Sequence, residues 1–191
     1  MNTRIVIAVI ILVWAAIVAV FGLRLFSPQT QVIPRSDNID ISSYASNPNA
    51  EVRLIVQGPV VANENFRSGM ITVSSSSRSV TGYKTYTNEV ADSAILGNNQ
   101  EAFTQFINAL KTTGFGQVRA SNQKEVQSSC PTGYRYTYEL RDGGNVVYST
   151  WATSCTNARH TYGGNAAQTN QLFRVQIPGL SQSPNYAALL Q

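Results

Sequence analysis

The side chains able to do chemistry are few in this chain, and they stand apart. His160 is the only histidine. A zinc or iron centre draws on several histidines, or on histidine with cysteine, so a single imidazole offers a metal little. A Ser-His-Asp relay needs a serine held up by a sharp turn, and no G-x-S-x-G segment supplies one. Residues 158–164, with His160 among Arg159, Tyr162 and two glycines, read more simply as a loop. The carboxylates Glu51, Glu64, Glu89, Asp92, Glu101, Glu125, Glu139 and Asp142 are scattered, with Asp37 and Asp40 ahead of them. Two acids meeting in space suit glycoside hydrolysis, but no spacing here selects a pair. Gly163-Gly164-Asn165 opens a helical pattern and suits an anion through its free N–H groups. With no Lys following, it reads as a turn and a cap rather than a phosphate loop. No residue is assigned to catalysis, to a cofactor or to a metal. Arg135, Tyr148, His160 and Tyr162 form the candidate binding surface.

Cys130 and Cys155 are the two cysteines, without C-x-x-C or zinc spacing. An even pair in a small domain points to a disulfide and an oxidising compartment.

Near the amino end, Ile5 to Leu23 is unbroken by charge, Pro or Asn and lies between Arg4 and Arg24. As a helix it reaches roughly 28 Å, close to the hydrocarbon thickness of a bilayer. A cleaved signal peptide has a shorter apolar core that ends at a small-x-small site. This run is longer, and it exits through Phe21-Gly22-Leu23-Arg24. An uncleaved anchor over residues 1–26 is the expectation, so residues 5–23 make the membrane a partner. Charge on the two flanks is balanced and does not orient it; the cysteines place the C-terminal part outside the cytoplasm.

The formal charge of +4 falls to about +2 once Arg4 and Arg24 are assigned to the anchor. The remaining Arg and Lys stand singly, without the basic stripe of a nucleic-acid binder. Residues 27–50, with Pro28, Pro34 and Pro48, read as a polar spacer, in which Asp40 to Tyr44 has the pattern to pack locally. An α+β domain is expected over 51–180, and a polar tail over 181–191.

Alternation predicts strands at 52–57, 67–74 and 79–90, near 115–120, and at 134–141 and 145–153. Period 3.6 predicts a helix over 98–113, with Asn98 as its cap and Ala102, Phe103, Phe106, Ile107 and Leu110 on one stripe. A second helix is predicted over 165–176, capped by Asn165. Taking Asp142-Gly143 as a two-residue turn, Arg141 faces Gly144 and Cys130 falls opposite Cys155. Tyr134, Tyr136 and Tyr138 then face Trp151, Ser149 and Val147 on an inward face. Pro131 to Gly133, or a longer Gly-rich turn, would shift that register. Val52-Arg53, Val80 and Gly97-Asn98 recur 66 or 67 residues later, which predicts a tandem βββα duplication. The fold class is therefore α+β: an N-terminal transmembrane helix, a polar spacer, then a mainly antiparallel sheet with two helices.

Short amino terminus, single anchor, polar spacer and small disulfide-bearing domain together resemble the single-anchor envelope proteins of bacteria. The resemblance implies a location and carries no catalytic motif. The expected role is a non-enzymatic binding or assembly module acting on an envelope protein or polymer, with no nucleic acid and no cofactor. The rival expectations are an envelope hydrolase built from dispersed carboxylates and His160, and a secreted inhibitor-like module if the anchor is cleaved.

Overall fold

A computed structural model describes residues 37–120, 130–156 and 158–191. The anchor expected over 1–26 lies outside the described residues, as does the first part of the spacer. Among the described residues no helix is long and apolar enough to cross a membrane.

The elements run β1 (Ala50–Gln57), β2 (Arg67–Ser74), β3 (Ser77–Lys84), β4 (Glu89–Gly97), α1 (Gln100–Thr112), β5 (Arg135–Asp142), β6 (Asn145–Thr153) and α2 (Ala166–Arg174). The strands make one antiparallel sheet in the order β4-β3-β2-β1-β5-β6. The α+β class holds. β1 sits near the middle because its alternation is complete: Ala50, Val52, Leu54 and Val56 are buried, and the residues between them are half-buried. Their register partners Ile71, Val73, Tyr138 and Leu140 are buried beside them. Phe103, Ile107 and Leu110 of α1 and Phe173 of α2 join the same core. Phe106 meets Phe173 edge to face at 5.3 Å, which joins the two helices. Each fully buried side chain of this size contributes about 1.5–3 kcal/mol.

Both helices are two-sided by sequence, and both are capped by asparagine. Asn165 caps α2, accepting from the Gln168 N–H, as expected. The cap of α1 is Asn99, accepting from the Ala102 N–H at 2.8 Å. Asn98, the expected cap, instead donates to the Ser74 carbonyl at 2.6 Å and ties the helix entry to the β2–β3 hairpin. Gly114, with φ of 85°, ends α1 in the left-handed region where glycine is unstrained.

Four expectations are corrected. The strand expected over 79–90 is two strands, because 85–88 is a turn with Thr85 and Asn88 at positive φ. The strand expected near 115–120 is a single bridge, Val118 to Tyr162. The βββα repeat is absent from the strand order: among the described residues four strands precede α1 and two lie between the helices. Finally, the turn between β5 and β6 is Gly143-Gly144, closed by Asp142 opposite Asn145, and a register shift follows between Leu140 and Arg141.

That last change moves Tyr136, Tyr138 and Leu140 opposite Ala152, Thr150 and Tyr148. β5 keeps its inward face, as expected. From Tyr148 on, β6 slips by three residues, an odd number, which turns those side chains over. Cys130 and Cys155 still join, with Cα atoms 5.8 Å apart, but beyond the strand ends rather than as a cross-strand pair.

The second half of the expected spacer belongs to the folded body. A 3-10 turn, Ile41–Tyr44, is capped by Asp40 and buries Ile41. The tail is folded too. A 3-10 helix, Pro184–Leu190, lies over Gly69 and Gly82, which are register partners on β2 and β3. Two glycines side by side leave a trough without Cβ atoms, and Leu189 and Tyr186 fill it.

Candidate functional site

Three of the four residues expected on a binding surface are interior. Tyr148 and Tyr162 are fully buried, and Arg135 is 2% exposed. Arg135 donates to the Gly58 carbonyl at 2.8 Å, and burial holds its guanidinium below the usual arginine pKa. Tyr148 donates to the Gln117 carbonyl at 3.0 Å and accepts from Thr150 at 2.9 Å. Tyr162 and Thr113 both meet the Thr169 hydroxyl, at 2.6 and 2.8 Å. Tyr138, stacked on Tyr162 at 4.2 Å, donates to Asn170 Oδ1 at 2.7 Å. The tyrosines are thus a hydrogen-bonded part of the core, and burial raises their pKa values, that of Tyr148 well above the ordinary range. The polar face of α2, Asn170 and Thr169, satisfies Tyr138 and Tyr162; periodicity of apolar residues alone does not reveal that face.

His160 is half-buried. Its Nδ1 lies 3.0 Å from the Tyr162 carbonyl, and it is therefore the protonated nitrogen of a neutral ring. Burial is the first cause of its lowered pKa, and the nearby Arg119 cation adds to it. No carboxylate enters its surroundings among the groups that shift it. Arg119 also borders a shallow depression with Asn38, Gln117 and Gly163. Among the described residues no three His, Cys, Asp or Glu side chains gather to hold a metal ion.

The strongest concentration of interacting side chains lies on the sheet face opposite the helices. Register sets Arg53 between Thr72 and Glu139, and Glu51 opposite Arg141. Arg53 pairs with Glu51 at 2.6 Å, and Arg141 reaches Glu51 at 3.6 Å and Glu139 at 3.7 Å. All four side chains keep partial exposure, between 16% and 24%. Burial pushes the Glu139 carboxyl above its usual range, against the pull of Arg141 and Arg53. One row further along, Ile55, Met70, Thr81 and Thr137 lie side by side, all half-buried. On this same face the Nε of Arg53 and the hydroxyl of Ser68 are buried and have no hydrogen-bond partner among the described residues. Sequence reasoning recognised the alternation of β1 but not this face, because Glu51 and Glu139 come together only when β5 pairs with β1 across the whole of α1.

Charged pairs of this exposure add little to stability. Their use is directional: they hold donors and acceptors of both signs at fixed positions on a rigid sheet. Such a face suits recognition of a polar chain better than a bond-breaking step, since both carboxylates are tied to guanidinium groups. Comparison with protein-family models, with curated proteins and with solved structures finds no match.

Proposed function

We propose that this chain is a membrane-anchored binding module of the extracytoplasmic space, which grips an envelope protein or polymer with the open face of its sheet. The observation that carries the reading is the quartet Glu51, Arg53, Glu139 and Arg141, which holds both signs of charge part-exposed at fixed positions on the sheet. The apolar run at 5–23 supports the anchor, and the Cys130–Cys155 disulfide supports an oxidising compartment. With no reacting constellation to argue from, the reading stays with binding.

The test is site-specific photo-cross-linking of the full chain in intact cells. A photoreactive residue at Thr72 or Ser149, on the open face, is expected to give discrete adducts; one at Asn108, on the outer side of α1, is expected to give none. Equal labelling from both sides, or none from the sheet, would overturn the assignment. Release of the full-length chain from washed vesicles by alkaline carbonate would separately remove the anchor.

A further inference from the structure

We propose that two copies of this chain pair edge to edge through β4, antiparallel and centred on Ile95, so that one sheet continues into the other. The inference goes beyond the proposed grip and does not depend on what the open face holds.

The two edges of the sheet are not alike. On β6, the Trp151 carbonyl accepts from the Thr161 and Tyr162 N–H groups at 3.1 and 2.9 Å, and the Trp151 N–H donates to the Thr161 hydroxyl at 3.0 Å. That edge is covered at its middle. β4 ends the sheet on the other side.

The direction of the β4 backbone follows from one bond. The Asn98 N–H donates to the Ser76 carbonyl at 3.0 Å, so these two form a hydrogen-bonded pair. In an antiparallel ladder such pairs alternate with open ones. Arg78–Leu96 and Val80–Ala94 are then bonded, while Ser77–Gly97, Ser79–Ile95 and Thr81–Ser93 are open. Ser93, Ile95 and Gly97 consequently aim their N–H and C=O groups away from β3, along the edge.

Edge strands are normally blunted by charge, Pro or a bulge. The first half of β4 carries such devices: Glu89, Asp92 and a register shift at Gly82/Tyr83. From Ser93 to Leu96 there is none, and at Gly97 the Arg78 guanidinium covers the carbonyl. In that stretch Ile95 is 79% exposed, the most exposed large apolar side chain among the described residues.

The exposed Ile95 selects the register, by meeting its own counterpart, and charge permits it. With the two-fold axis at Ile95, Ser93 faces Gly97 of the second copy, Ile95 faces its own counterpart, and Asp92 faces Asn98. No carboxylate opposes another. An axis at Asp92 would set two aspartates opposite one another. The Gly97 carbonyl already accepts from Arg78 Nε at 3.2 Å and Nη2 at 3.0 Å, so the pairing uses the Gly97 N–H toward the Ser93 carbonyl and both backbone groups of Ile95. A two-fold arrangement closes on itself and consumes both edges.

The experiment uses the full chain in detergent micelles. The native cysteines are bonded to each other, so Ile95→Cys introduces the sole free thiol. Bonded antiparallel pairs hold Cα atoms about 5.5 Å apart, within disulfide reach. Mild oxidation is expected to convert Ile95→Cys to a covalent dimer much faster than Val175→Cys, an exposed site elsewhere. Sedimentation is expected to show a dimer for the parent chain and a monomer for Ile95→Lys, which still unfolds in one cooperative transition, with a midpoint that no longer depends on protein concentration. A parent chain that stays monomeric, equal oxidation rates at the two sites, a dimer that survives Ile95→Lys, or capture of a different polypeptide by the thiol would each overturn the proposal.

Discussion

Tyr138 and Asn170 show how single residues hold this interior together. The Tyr138 hydroxyl donates to Asn170 Oδ1 at 2.7 Å in a fully buried position, so Tyr138→Phe leaves an acceptor unpaired and is expected to cost about 1–3 kcal/mol. A urea titration that gives the same midpoint for both proteins would show that water reaches the site. Two titrating residues predict opposite responses to pH. Glu139 has its pKa raised, first by burial. The folded protein holds that proton more tightly than the unfolded chain, so stability falls as pH rises above the ordinary value of 4.5. His160 has its pKa lowered, again first by burial. Its contribution is intact above 6.5 and is lost as pH falls through that value and then through the lower folded one. Thermal midpoints should therefore show Glu139→Gln gaining on the parent protein as pH rises from 4.5, and His160→Gln gaining as pH falls below 6.5. Flat differences across both windows would refute the assignments. At this scale the sequence was legible where a residue acts locally. Asn165 caps the helix it precedes. Asn98 and Asn99 are chemically alike, and only the reach of Asn98 to Ser74 decides which of them caps α1.

Elements follow from pattern when both faces differ, and β4 shows the limit. Its residues run exposed, exposed, half-buried, with no period of two, because one neighbour strand and an open edge impose no alternation. β5 and β6 show a second limit. Each was recognisable by itself, but the start of the turn at Gly143 moves the pairing by two residues, and the shift between Leu140 and Arg141 adds the odd one that exchanges the faces of β6 from Tyr148 on. The disulfide was legible from composition and survives the slip, since it forms outside the ladder. The C-terminal 3-10 helix, by contrast, is held by residues that carry no hydrophobic signal of their own. A Cβ on Gly82 would meet the Asn185 backbone carbonyl and lie 3.1 Å from Tyr186 Cδ1. Gly82→Ala is therefore expected to lift the tail and to cost about 1–3 kcal/mol. Gly97→Ala, where a Cβ meets nothing within 4 Å, provides the control and is expected to change stability little. Equal midpoints for the two variants in a thermal melt would mean that the tail does not depend on the trough.

At the scale of the whole molecule, the boundary of the folded body decides what can be separated from the expected anchor. Composition drew that boundary at residue 51, because three prolines and many polar side chains precede it. Packing places it earlier. The Ile39 N–H donates to the Gly116 carbonyl at 2.9 Å, and Asn38 Oδ1 accepts from the Val118 N–H at 2.7 Å. Gln100 at the start of α1 donates to the Ala45 carbonyl at 2.6 Å, and Lys111 near its end pairs with Asp40 at 3.0 Å. Residues 38–45 thus run along α1 and seat Ile41, 1% exposed, in the core. Such contacts span 55 to 80 residues of sequence, and nothing local announces them: one isoleucine among serines carries no period. Deleting a buried side chain of this size alone costs about 2–5 kcal/mol, against a total stability of about 5–15 kcal/mol for a domain. A chain starting at Asp37 is therefore expected to unfold cooperatively, with the midpoint of the full-length protein. One starting at Ala50 is expected to melt far lower or to lose its cooperative transition. Equal midpoints for these two truncations would show that residues 38–49 only rest on the surface, and would return the tether its full expected length.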